Sequence, residues 1–186
     1  MKFRVKMGFP QSAMLVSLCI FVLSVSMSFL LSNYVIEKTY ESTGVLIIYS
    51  DRESDDNRAL RDAKTYRTIA TGTQMMNEII SQLNLQYRVK DLRNKIIVSY
   101  EDDTDLIYIK SEDGDPETAF NITRFVMDRL QGRVQELFGD SYLKVVEEPY
   151  IPFEPSRPNV VLNMMIAGIF AMLLSALVIV WDLKRR

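Results

Sequence analysis

The sequence predicts a two-span membrane protein with an α+β extracytoplasmic domain between its spans. Three observations lead there. Two uncharged apolar runs bracket the chain. Basic residues flank each run on the side of the nearer terminus. Between the runs, strand-like and helix-like patterns follow in the order β-α-α-(α)-β-β-α-β, which suggests a small mixed sheet with helices on one face.

The first apolar run extends from Gly8 to Ile36, behind Lys2, Arg4 and Lys6. The second extends from Asn159 to Trp181, ahead of Lys184, Arg185 and Arg186. Each exceeds the ~20 helical residues needed to cross a hydrocarbon core of ~30 Å. Basic residues beside a span stay in the cytoplasm, so both termini are expected there and the middle outside, at the cell membrane. The first run is far longer than a signal-peptide core, and no small-x-small cleavage site precedes Glu37, so it reads as an uncleaved anchor. The expected divisions are a cytoplasmic N-terminus (1–10), a first transmembrane helix (11–36) and the outer domain (37–148). A proline-rich strut (149–158), a second transmembrane helix (159–181) and a short basic tail (182–186) complete the chain.

Charge is divided in the same way. Residues 37–158 carry a net charge of −7, against −2 for the whole chain. That sign argues against nucleic acid as a partner and reads as a solubilising surface. The one cysteine, Cys19, lies in the first run, so no disulfide can staple the outer domain. Its ~120 residues suffice to bury a core of their own. The chain has no histidine, which excludes a His-assisted nucleophile and, with no Cys outside the span, a zinc site.

Within the outer domain, Thr43–Ser50 is uncharged and rich in Val, Ile and Tyr, and reads as a central strand. Asp51–Asp56 is a polar turn. Asn57–Thr71 places Ala59, Ala63, Tyr66 and Ala70 at helical spacing; Gly72 fits its stop and Thr73 the N-cap of the next helix. That helix would bury Met75, Met76, Ile79, Ile80 and Leu83. A short helix fits Val89–Asn94. Ile96–Glu101 and Leu106–Ser111 read as an antiparallel hairpin around Asp102–Asp105. Asp115-Pro116 opens a helix with an N-cap and a proline at its first position. Ala119, Ile122, Val126, Leu130, Val134 and Leu137 mark its apolar face, and Gly139 its end. Leu143–Val146 is a last strand.

Pro149, Pro152, Pro155 and Pro158 then recur every third residue. Polyproline II has three residues per turn, so the four rings would share one edge of a stiff, extended strut. It serves either as a plain linker or as an edge docked on a neighbouring surface. In the spans, Asn163, Ala167, Ala171 and Ser175 form one stripe and Ser24, Ser28 and Ser32 another. Small residues at this interval allow close helix approach in lipid. The contact could join helices of one chain or of two.

No catalytic, cofactor-binding or metal-binding constellation stands out. Glu101, Asp102, Asp103 and Asp105 lack the glycine and closing glutamate of an EF-hand loop and read as a solvated turn. Asp113, Asp115 and Glu117 fit a helix N-terminus, where carboxylates meet free amides. The Asn121–Thr123 sequon falls inside a helix.

Three stretches carry a family likeness: TYRTIATGTQMMNEIISQLNL (65–85), KIIVSYEDDTDLIYIKSEDGDPETA (95–119) and PYIPFEPSRPN (149–159). With the span–domain–proline–span layout, the chain resembles the Wzz-type polysaccharide chain-length determinants, or polysaccharide co-polymerases. The closer likeness is to their short Gram-positive branch, capsular and exopolysaccharide proteins that modulate a separate tyrosine kinase. The resemblance implies a non-enzymatic scaffold that regulates polymer length. It also implies partners: further copies of the chain, a polymerase and its growing glycan, membrane lipid and a cytoplasmic tyrosine kinase. Two departures are visible: glycine in the second span is reduced to Gly168, and only Asp182–Arg186 follow Trp181. A membrane-anchored extracellular sensor or binding module is the alternative.

Overall fold

The computed structural model describes residues 11–50, 64–101, 104–139 and 141–185. The Asp51–Asp56 turn, the first half of the helix expected from Asn57, and Asp102 and Asp103 lie outside the described residues. So do Lys2, Arg4, Lys6 and Arg186. The chain divides into two compact units, one comprising residues 1–37 with 157–186, the other 38–156.

The second unit holds the α+β domain, named the outer domain after its expected placement. Its strands are β1 (Tyr40–Ser50), β2 (Ile96–Tyr100), β3 (Leu106–Asp113) and β4 (Ser141–Glu147). They form one sheet in the order β2-β3-β1-β4. Every hydrogen-bonded pair is antiparallel. The expected mixed sheet is thus corrected. β1 and β2 run the same way, but β3 lies between them, and β1 likewise separates β3 from β4. With helical crossovers after β1 and β3, this is the β-α-β-β-α-β arrangement of ferredoxin-like folds.

β1 is longer than its uncharged run. Tyr40, Glu41 and Ser42 pair with Asp113, Glu112 and Ser111, so partnership rather than hydropathy extends both strands. On β3, inward positions alternate strictly: Ile107, Ile109, Ser111 and Asp113 are buried. A register shift between Val45 and Leu46 leaves Val146 of β4 bulged.

The helices cover the inward face. Residues 64–70 are helical (α2), followed by α3 (Thr73–Gln82), α4 (Val89–Lys95) and α5 (Pro116–Phe138). The N-cap of α3 is Gly72, not Thr73. The Thr73 hydroxyl is engaged elsewhere: it accepts from Arg93 Nη2 at 2.9 Å, while Arg93 Nε donates to the Thr71 carbonyl at 3.0 Å. α5 opens as expected, with Asp115 Oδ2 accepting from the Thr118 amide at 2.8 Å and Gly139 closing it at φ 54°. Ala119, Ile122, Val126, Leu130 and Val134 are buried, but Leu137 is 64% exposed. In that last turn Phe138, 41% exposed, lies edge-on to Tyr66 with ring centroids 5.8 Å apart. Tyr66, Met75, Met76, Ile79 and Leu92 fill the space between these helices and the sheet.

Gly44 shows how close α5 lies to β1. A Cβ there would overlap Met127 Sδ, so a side chain at 44 must displace a buried methionine.

Candidate functional site

The first unit pairs α1 (Gln11–Tyr34) with α6 (Val160–Arg185). Leu15–Tyr34 and Val160–Asp182 are long and apolar enough to cross a membrane. Most of their Leu, Val, Ile, Met and Phe side chains are exposed, which suits lipid rather than water as the surrounding solvent.

The two helices run antiparallel and meet through small and polar residues. Asn163 Nδ2 donates to Ser32 Oγ at 2.9 Å, and Ser32 is only 3% exposed. Near the other end, the Ser175 hydroxyl lies 3.4 Å from the Ser17 carbonyl, to which it donates. Ala171 is fully buried between these points. Gly168 sits under the Phe21 ring; a Cβ there would make ordinary contact at 3.6 Å. Ala167 is half-buried. With Ser24, Ser28, Ser32 and Asn163 it lines a groove of about 620 Å³ along the pair. Among the described residues, no hydrogen bond links Ser24 or Ser28 to α6. In this chain Asn163 and Ser175 meet α1 of the same chain. Lys184 is exposed near the end of α6, and Arg185 is its last residue.

The four prolines differ in burial. Pro149 and Pro152 are buried in the outer domain, whereas Pro155 is exposed. Pro158, in the other unit, is half-buried. The chain bends at Phe153–Glu154 and at Ser156, because hydrogen bonds hold it against the start of β1. Ser42 Oγ donates to the Tyr150 carbonyl at 2.9 Å. Ser156 donates to the Thr39 carbonyl twice, from its amide at 2.8 Å and from its hydroxyl at 2.9 Å.

Two polar groupings inside the outer domain were not singled out from the sequence. In one, Ser111 Oγ donates to the Ala119 carbonyl at 2.6 Å, and Thr123 Oγ1 lies 2.6 Å from Ser111 Oγ and 3.1 Å from the Ser42 carbonyl. It fastens α5 to the two central strands. In the other, Asp113, 4% exposed, accepts from Tyr87 at 2.7 Å and pairs with Lys95 at 3.3 Å. Its other oxygen accepts from the Asp115 amide at 3.1 Å. The signal for both was the β3 alternation, which puts Ser111 and Asp113 on the face of Ile107 and Ile109.

Burial, and then the hydrogen bond and negative charge of Asp113, push the Tyr87 phenol from 10.0 up to about 12. The folded domain thus keeps this proton at pH values where the unfolded chain has released it. The resulting stability is full below pH 10 and is lost as pH rises towards 12. Urea midpoints for the protein in nanodiscs should fall across that window more steeply than those of Tyr87→Phe. Parallel curves would contradict the assignment.

α3 and α5 are joined by Glu78, which pairs with Arg133 and, at 3.6 Å, with Arg129. The sheet face opposite the helices presents Tyr49 and Ile97, both exposed, and the Lys110–Glu41 pair at 3.1 Å.

These features define a class: a chain with two helices long and apolar enough to cross a membrane, and a small α+β domain in the sequence between them. No protein-family model matches the chain. It is similar to the uncharacterized protein YveK of Bacillus subtilis, with 28% identity over 140 residues, 72% of this chain and 60% of that one. It is also similar to the capsular polysaccharide biosynthesis protein CpsC of Streptococcus pneumoniae, with 27% identity over 154 residues, 78% of this chain and 67% of that one. CpsC of Streptococcus agalactiae is 25% identical over 156 residues, 80% of this chain and 68% of that one. The chain spans about 60–68% of the length of these relatives. Two of these three relatives, covering 78–80% of this chain, are thus capsular polysaccharide biosynthesis proteins.

Proposed function

We propose that this chain is a non-enzymatic membrane scaffold that regulates chain length in capsular or exopolysaccharide biosynthesis. The single observation that carries the reading is the similarity to CpsC proteins over 78–80% of the chain. The layout supports it: paired apolar helices, and a domain whose buried polar groups are spent on holding α5 and the β3–α5 turn in place. Both termini lie in the cytoplasm and the outer domain outside, as the basic flanks require. Asn163, Ala167, Ala171 and Ser175, with Ser24, Ser28 and Ser32, hold the spans so that copies of the chain assemble beside the polymerase. The growing glycan is engaged on the outer side. A cytoplasmic tyrosine kinase is the partner on the inner side.

The deciding experiment is a strain lacking the chain. Its surface polysaccharide should keep its sugar composition and change its length distribution. Unchanged length, or turnover of a nucleotide sugar by the purified protein, would remove the proposal. Reporters fused at each end and inserted near Asp55 test the topology separately; an external C-terminus would overturn it.

A further inference from the structure

We propose that the Tyr150–Phe153 turn of the outer domain seats on the membrane surface, with the Phe153 ring in the boundary between headgroups and acyl chains. Phe153 is 96% exposed, Tyr150 55% and Ile151 42%. The turn is nevertheless held. Pro149 and Pro152, which alternate with these residues, are buried. Ser42 fixes the Tyr150 carbonyl, and Ser156 is bonded twice to Thr39. A ring presented to solvent by an anchored turn is an unfavourable arrangement in water, and among the described residues of its own domain none covers it.

The chain itself points to lipid as the cover. The two hydrogen bonds from Ser156 to Thr39 bring the first and last residues of the domain side by side, and Phe153 is three residues from that point. α6 begins at Val160, four residues after Ser156. An extended chain advances at most ~3.5 Å per residue, so the tether from Ser156 to the apolar helix is no more than ~14 Å. Aromatic side chains concentrate at the level where such a tether ends. Tyr34, the last residue of α1, is of the same type. The exposed carboxylates of Glu148 and Glu154 flank the turn. They stay among the headgroups and favour a zwitterionic surface over an anionic one. This inference goes beyond the polymer-length reading and does not depend on it.

The test uses the full chain in phosphatidylcholine bilayers with bromine on shallow acyl carbons. Trp181 is the only tryptophan, so Phe153→Trp with Trp181→Phe gives a single reporter in the turn. Ile97→Trp in the same background is the control, because Ile97 is exposed on β2 within the same domain. Brominated lipid should quench the turn reporter at least about threefold more than the β2 control, with emission shifted to the blue, as for aromatic residues at a membrane interface. Quenching of both by aqueous iodide to the same degree, without lipid quenching, would overturn the proposal. Protection from iodide and lipid alike would also overturn it, since the ring would then be covered by protein. Tyr150→Trp repeats the measurement if Phe153→Trp folds poorly. Native Trp181, measured in parallel, reports the span: if it is quenched and the turn reporter is not, the turn proposal alone falls. If neither is quenched, the membrane reading falls with it.

Discussion

Leu130→Ala is expected to destabilise the outer domain by about 2–5 kcal/mol, the range for truncating a fully buried leucine. Leu130 is at 0% exposure, in the middle of α5, where that helix crosses the sheet. It belongs to the one core that joins α5 to the strands and to α2–α4. The cavity cannot close by local collapse, because the Ser111–Thr123 hydrogen bonds fix the helix against the strands. Leu137→Ala on the same helix should change stability by no more than about 0.5 kcal/mol, as for surface substitutions. Urea unfolding of the full chain in nanodiscs, followed by tyrosine near-ultraviolet circular dichroism, reads both. Equal losses from the two variants would mean that α5 is rotated from the placement described.

Ala171→Leu should loosen the paired spans. Ala171 is fully buried between the Asn163–Ser32 and Ser175–Ser17 contacts, so three added carbons meet α1 directly. Overpacking of this kind costs about 1–3 kcal/mol. Each interhelical polar contact contributes only ~0.6–2 kcal/mol, so the substitution is large enough to open the pair. A chain carrying Cys19→Ser, Ser32→Cys and Asn163→Cys gives the readout with a short bifunctional thiol reagent. Cross-linking should occur within single chains and fall sharply when Ala171→Leu is added. Cross-linked dimers in place of the intrachain product would show that the stripe faces another copy.

How much of this was legible in the sequence depended on whether the signal was local. The two long apolar helices, the hairpin of β2 and β3, and the Asp115-Pro116 start of α5 rest on composition, alternation and capping, and they stand where those signals put them. Pairing is not local. The antiparallel order β2-β3-β1-β4 and the extension of β1 back to Tyr40 come from which strand lies beside which. Thr73 had the chemistry of an N-cap, but Arg93, twenty residues away in the chain, engages its hydroxyl. The small-residue stripe marked the face of α6 without naming the helix opposite. Proline spacing described an isolated strut and could not include the hydrogen bonds from Ser42 and Ser156 that bend it. Asp113 was read as part of a helix start; the β3 alternation already placed it inward, and only the fold supplies Tyr87 and Lys95 as its partners.

The central claim is that copies of this chain act together to set polymer length. Cells producing the wild-type chain and the Ala171→Leu chain in graded, immunoblotted ratios test it most directly, by sizing their surface polysaccharide. Mixed assemblies predict that a minority of variant shifts the whole length distribution. A distribution equal to the weighted sum of the two pure strains would contradict the account.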